Sequence, residues 1–312
     1  MENLQTNYPN LNKVIGFIEE LSPFQKKSVQ KYLNSANKRY FDFAESVVKR
    51  MLPIVKESGD EAFKKIAETY LWYTKTIRVE EMYFQKNGSY RYNEFDTVYD
   101  KVYGRDDYMN NYVVGLGMTQ IFWPNHWDIF QFFLDEFLPT VKEGEFGAEL
   151  GVGHGLFHSE FLKACPKMRS KLLDISPSSL QTTLKMIKET GLDPNRATPI
   201  KCDVQKDNPL EDHSLDALLM GEIIEHIQDG ARVMAEMSKK MKPTGRCYFS
   251  TAANSPAEDH ILLFKTVDEI RTFIKKAGWK INKEHLGTLN GLSVEESEKG
   301  NHNINYAAVL SV

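Results

Sequence analysis

The chain has 312 residues, with 39 Lys and Arg against 43 Asp and Glu, so its formal net charge is −4. That balance excludes a protein that holds nucleic acid by bulk positive charge. Hydrophobic residues at 41% and charged residues at 26% belong to an ordinary folded chain and exclude a largely disordered one.

No run reaches the roughly 18 apolar residues that span a bilayer, so no membrane partner is expected. The opening MENLQTNYPN has neither a basic stretch nor an apolar core, which argues against a secretory signal. Cys165, Cys202 and Cys247 are odd in number and far apart. They suit a reducing, cytoplasmic setting and exclude a disulfide framework or a zinc–thiolate site.

Residues 1 to about 140 read as a helical cap or substrate domain. LNKVIGFIEEL repeats apolar residues at helical spacing, and Ser22-Pro23 opens a new helix. FDFAESVVKRMLPIVKES and EAFKKIAETYLWYTKTIRVEEMYF carry the same period, with Pro53 ending or kinking the first. The Gly-, Asn- and Asp-rich stretch from Lys86 to Asp107 reads as loop. TQIFWPNHWDIFQFFLDEFLP reads as one apolar helix stopped by Pro139.

From residue 141 to 312 the texture changes to alternating strands and helices, the pattern of a parallel sheet with crossover helices. FGAEL, SKLLD, ATPIKC, SLDALLM and GRCYFST are the first strands. WKINKEHLG and INYAAVLSV are the last two, and SVEESEKGN between them reads as a polar surface loop.

Glu149-Leu150-Gly151-Val152-Gly153-His154-Gly155 falls where the first strand meets the first helix. Glycines there allow a tight turn and close backbone approach to a ligand. The dinucleotide fingerprint would need glycine at position 156, which is Leu156. Asp174 ends the second strand, placed to accept from both hydroxyls of a ribose. Asp203 ends the third strand, in KCDV, where its carboxylate can accept from an adenine amino group while Val204 donates its N–H.

With ELGVGHG, LLDIS, CDV, LDALLMGEIIEHI and KKMKPTGRCYFST in that order, residues 145–280 resemble the class I S-adenosylmethionine-dependent methyltransferases. The resemblance implies an α/β, Rossmann-like seven-stranded methyltransferase sheet whose last strand is antiparallel. It implies that Glu149, Gly151 and Gly153 hold the methionine end of S-adenosylmethionine, Asp174 the ribose, and Asp203 with Val204 the adenine. His154 departs from the small residue often found at its position.

Glu222, Glu225 and His226 follow the fourth strand. Were this a helix start, the three would share a face, and two carboxylates with an imidazole suit a hard divalent cation such as magnesium or manganese. The ExxEH pattern resembles that of small-RNA 2′-O-methyltransferases and of the O-methyltransferases of ubiquinone synthesis. By that resemblance His260 is a candidate fourth ligand. Without a metal, Glu222 or His226 is the proton acceptor.

In the cap, Tyr108, Tyr112 and Trp123 are candidate substrate-binding residues, with Gln120 beside them. An aromatic wall favours a sulfonium through cation–π attraction. Polar His126, beside Pro124 in an apolar run, is a third catalytic candidate, whereas Trp127 and Phe130 read as core.

The reading is a methyltransferase acting on oxygen or carbon of a small-molecule metabolite, with metal assistance and the homodimer left open. The alternatives are an RNA 2′-O-methyltransferase, which the acidic balance opposes, and a cofactor-using enzyme of this fold that cyclises S-adenosylmethionine.

Overall fold

The computed structural model describes residues 7–289 and 291–312. Helix α1 (Pro9–Leu21) buries Leu11, Val14, Ile15 and Ile18 on one face. Ser22 ends it and caps α2 (Pro23–Leu33), its side chain accepting from the Gln25 N–H with Pro23 in the first turn. α3 (Lys38–Met51) stops just short of Pro53. α4 (Asp60–Asn87) runs for 28 residues and ends on Gly88, which takes the left-handed conformation. A Cβ on Gly115 would lie 2.7 Å from the Tyr73 Cβ, so only glycine lets α6 (Asp106–Phe122) pack this closely on α4.

Three stretches differ from the sequence expectation. Residues 86–107 are not all loop: α5 (Phe95–Val98) runs into a π-helical turn, Tyr99–Tyr103. The apolar run around Trp123 is not one helix. Proline disfavours helical backbone in the residue before it. Trp123 is accordingly extended, α6 stops at Phe122, and α7 (Pro124–Phe132) starts anew. A π-helical turn (Phe133–Phe137) and a 3₁₀ turn (Leu138–Thr140) complete the layer. The polar stretch after Ser293 is helix α12 (Val294–Lys299), held by a capping box in which Ser293 and Glu296 satisfy each other's backbone N–H.

The sheet contains β1 (Phe146–Leu150), β2 (Arg169–Asp174), β3 (Ala197–Lys201), β4 (Leu215–Gly221), β5 (Met241–Ala253), β6 (Lys280–Thr288) and β7 (Ile304–Ser311). Their order is β3-β2-β1-β4-β5-β7-β6, with β7 antiparallel to both neighbours. This is the Rossmann-like seven-stranded sheet. The order reverses between β1 and β4, where a crevice opens at the carboxyl ends of the strands.

One face of the sheet and the helical layer share a single apolar core. Phe130 meets Phe157 at 4.5 Å between ring centroids, and Phe133 meets Tyr248 at 5.0 Å. Phe157 belongs to α8 (Leu156–Ala164), and α9 (Pro177–Glu189) lies on the same side. The other face is covered by α10 (Gly230–Lys240) and α11 (Val267–Lys276) through Met234, Met237, Ile270 and Ile274. Trp127 and Phe130 are buried in the shared core. Among the described residues, no helix is long and apolar enough to cross a membrane.

Candidate active site

The glycine-rich turn leaves β1 with three glycines at positive φ: Gly151 at 72°, Gly153 at 47° and Gly155 at 75°. Gly155 is fixed by packing, because a Cβ there would sit 2.7 Å from the Thr183 backbone. Gly153 is different: a Cβ there would meet nothing within 4 Å, so its open side faces the cavity. Asp174 holds the turn from below. One carboxylate oxygen accepts from the Val152 N–H at 2.8 Å and the other from the Ser176 N–H at 2.8 Å. Burial pushes its carboxyl up to about 6, against those hydrogen bonds. Each oxygen keeps a lone pair for a ligand hydroxyl.

Glu149 lies behind the turn, with a carboxylate oxygen 2.9 Å from His158 Nδ1. The other ring nitrogen is 2.8 Å from the Ser170 hydroxyl. Burial disfavours charge on both partners. It lowers the His158 imidazole to about 3 and, helped by Asp174, raises the Glu149 carboxyl well above its usual range. Asp203 accepts from the Gln205 N–H at 3.0 Å, and Asp203 and Val204 both line the cavity.

Glu222 and Asn254 follow β4 and β5, and both take the left-handed conformation rare for non-glycine residues, at φ 49° and 50°. Residues 222–226 do not form the expected α-helix; Ile224–His226 is a 3₁₀ turn. The juxtaposition survives by another route. The Glu225 carbonyl accepts from the N–H groups of Ile261 and Leu262 at 2.8 and 2.9 Å, which draws the 254–264 loop alongside. Glu225, His226 and His260 thus offer ligand atoms within 4.8 Å of one another, all buried.

The Glu225 carboxylate accepts from the Thr251 hydroxyl at 2.8 Å with one oxygen. Its other oxygen, one oxygen of Glu222 and the Asn254 amide oxygen are buried without a partner. Burial and the Glu225 charge hold the Glu222 carboxyl well above its usual range. Burial opposes charge on His226, but Asp259 overrides it and lifts the imidazole to about 9. Orphaned buried acceptors call for a missing partner. Three such oxygens beside two imidazoles fit a divalent cation by donor chemistry.

Both constellations open onto one cavity of about 1220 Å³ between the helical layer and the sheet edge. A site for one drug-sized ligand spans roughly 300–1,000 Å³, so there is room here for a nucleoside cofactor and an acceptor. Trp123, His126, Tyr112, Gln120 and His154 line it from the cap and the turn. Tyr108 does not line it and instead donates to Glu258 at 2.8 Å. Tyr112 reaches the wall, but its hydroxyl donates to Asp259 at 2.8 Å.

His126 is held at Nδ1 by side chains of α6. The Thr119 hydroxyl, which donates to the Leu116 carbonyl at 2.6 Å, lies 2.8 Å from this nitrogen. The Gln120 amide nitrogen lies 3.3 Å from it. Burial lowers the imidazole to about 4.

Residues 148–249 match the family described as "Methyltransferase domain". Residues 148–249 thus carry a methyltransferase domain. It is 26% identical over 156 residues to the ubiquinone/menaquinone biosynthesis C-methyltransferase UbiE of Desulfotalea psychrophila, covering 49% of this chain and 55% of that protein. The chain thus spans about half the length of that curated relative. Phosphoethanolamine N-methyltransferase 2 of Haemonchus contortus, solved with S-adenosyl-L-methionine, shares the fold. Its TM-score is 0.51 at 17% identity, over 71% of this chain and 60% of that one. The N-methyltransferase NodS of Bradyrhizobium japonicum, solved with S-adenosyl-L-homocysteine, scores 0.49 at 14% identity, over 70% and 99% of the two chains.

Several residues of the methyltransferase domain and its cap escape sequence reasoning. Asp259 was visible only as a neighbour of His260, and Tyr103 lay in a stretch read as loop. His158 follows the turn by one helical step and is fully buried against Glu149, a pairing that no sequence signal marks. The S-x-x-E spacing at Ser293 and Glu296 was a usable helix signal, unused because the stretch has no apolar period.

Proposed function

We propose that this chain transfers the methyl group of S-adenosylmethionine to an oxygen, or to a carbon beside a carbonyl, of a small-molecule metabolite. The observation that carries the reading is that Glu222, His226 and His260, with Glu225 beside the two imidazoles, and the Gly151–Gly153 turn meet at one cavity.

The turn and Glu149 receive the methionine end, Asp174 the ribose, and Asp203 with Val204 the adenine. Trp123 and Tyr112 supply aromatic wall near the sulfonium, where a π-face attracts positive charge. Glu222, Glu225, His226 and His260 would hold a divalent cation, magnesium or manganese. When bound, such an ion lowers the pKa of an acceptor hydroxyl by Lewis-acid polarisation. His126 Nε2 takes the acceptor's proton, the imidazole being uncharged above about pH 4. The cap residues exclude water and fix the acceptor in line with the methyl group.

An RNA 2′-O-methyltransferase is the second reading, favoured by the Glu222, Glu225, His226 and His260 set and opposed by the net charge of −4. Radiolabelled methyl transfer to a metabolite panel and to RNA, each with and without EDTA, tests the assignment. Labelled small molecules that vanish with EDTA support it; label in RNA alone supports the second reading. Release of 5′-methylthioadenosine in place of S-adenosylhomocysteine identifies cyclisation or another non-methyl transfer.

A further inference from the structure

We propose that Asp259 is a positioning residue that, with Tyr103 and Tyr112 of the helical layer, fixes His226 as a ligand through Nε2. The cation site is then complete only with the helical layer in place. This rests on the cation reading above.

Asp259 is 1% exposed, and one of its carboxylate oxygens gathers three donors. Tyr103 donates at 2.9 Å, Tyr112 at 2.8 Å, and His226 Nδ1 lies at 3.2 Å. No Lys or Arg pairs with it among the described residues. A carboxylate buried this far is costly unless hydrogen-bonded, and here two of the three donors come from the helical layer.

The hydrogen count settles the geometry of His226. Both tyrosine hydrogens point at Asp259. The Tyr103 oxygen, 2.9 Å from His226 Nδ1, can therefore act towards the ring only as an acceptor. The Asp259 carbonyl, 3.1 Å away, also only accepts. Three oxygens that accept from one nitrogen keep hydrogen on Nδ1, so in the neutral ring Nε2 is the nitrogen left to ligate, and the cation displaces its proton.

His260 is fixed the same way, its Nδ1 facing the Ser255 carbonyl at 2.5 Å. The two rings stand at 84° with centroids 4.7 Å apart. Carboxylates that orient ligating imidazoles typically matter about 10–100-fold in metal affinity.

The test is Mn2+ titration of the full chain by electron paramagnetic resonance, beside S-adenosylhomocysteine calorimetry, for wild type, Asp259→Asn and Tyr103→Phe. We expect wild type to bind Mn2+, and both variants to weaken that binding about 10–100-fold while S-adenosylhomocysteine affinity stays unchanged. Should Asp259→Asn misfold, nucleoside binding is lost with it, and Tyr103→Phe, which keeps the carboxylate, decides. Cd2+ bound to 15N-histidine-labelled protein should show coupling to His226 Nε2. Wild-type Mn2+ affinity in either folded variant, or coupling to Nδ1, overturns the proposal alone. A wild type that binds no Mn2+ overturns the cation reading and the proposal with it.

Discussion

The Tyr112 hydroxyl donates to the Asp259 carboxylate at 2.8 Å, joining α6 of the helical layer to the loop after β5, which carries His260. With the Phe130–Phe157 and Phe133–Tyr248 contacts, this makes the layer part of the structure that builds the site.

A truncated chain of residues 141–312 should therefore fail to fold properly. Phe161 and Tyr248, fully buried in the whole chain, would lose the aromatic residues packed on them. An apolar face laid open this way drives association. Analytical ultracentrifugation and near-UV circular dichroism should show aggregation or lost packing. A monomeric, sharply melting truncation would show that the sheet stands without the layer.

Asp174→Ala should weaken S-adenosylhomocysteine binding. The variant loses a charged acceptor for the ribose and also the bonds that hold Val152 and Ser176. A hydrogen bond to a charged group is worth roughly 1.5–3 kcal/mol, so at least a tenfold loss is expected by calorimetry. Unchanged affinity would remove Asp174 from the cofactor site.

His126→Gln should lower kcat about 10²–10⁴-fold if Nε2 accepts the proton, with S-adenosylhomocysteine affinity retained. Because burial lowers this imidazole to about 4, the kcat ratio of wild type to variant should stay level as pH falls through 6.5 rather than shrink there. Full activity in the variant would leave His126 a wall residue only.

His154 gives a stability test. Its Nδ1 accepts from the Leu156 N–H at 3.1 Å, and burial lowers the imidazole to about 3. The unfolded chain binds a proton below about pH 6.5, but the folded one does not until about 3. Stability from this group is thus complete above 6.5 and falls as pH drops through that window. His154→Gln lacks the loss, so its stability relative to wild type should rise by roughly 3 kcal/mol between pH 7 and 4. Urea unfolding at both pH values measures it. An unchanged difference would mean that the folded imidazole titrates normally.

The sheet and the nucleoside half of the site were legible because both are local signals. Buried parallel strands read as short apolar runs, and Gly151, Gly153, Asp174 and Asp203 each lie at a strand end or within three residues of one. What escaped depends on contacts distant in sequence or on backbone at single residues. Tyr103 and Asp259 are 156 positions apart, and no periodicity links them. The left-handed Glu222 converts an expected helix start into a 3₁₀ turn, yet Glu225 and His226 still reach His260 because the Glu225 carbonyl recruits the following loop. Pro124 was in plain view as a breaker inside the apolar run, and hydrophobicity alone hid it.

The central claim is that one cavity holds the nucleoside cofactor and a divalent cation together. A crystal structure of the full chain with S-adenosylhomocysteine and Mn2+, with anomalous differences collected for manganese, tests it most directly. The account predicts the nucleoside along Gly151–Gly153 and Asp174, and an anomalous peak bounded by Glu225, His226 and His260. Nucleoside density with no peak among those three residues, or a nucleoside bound elsewhere, would contradict it.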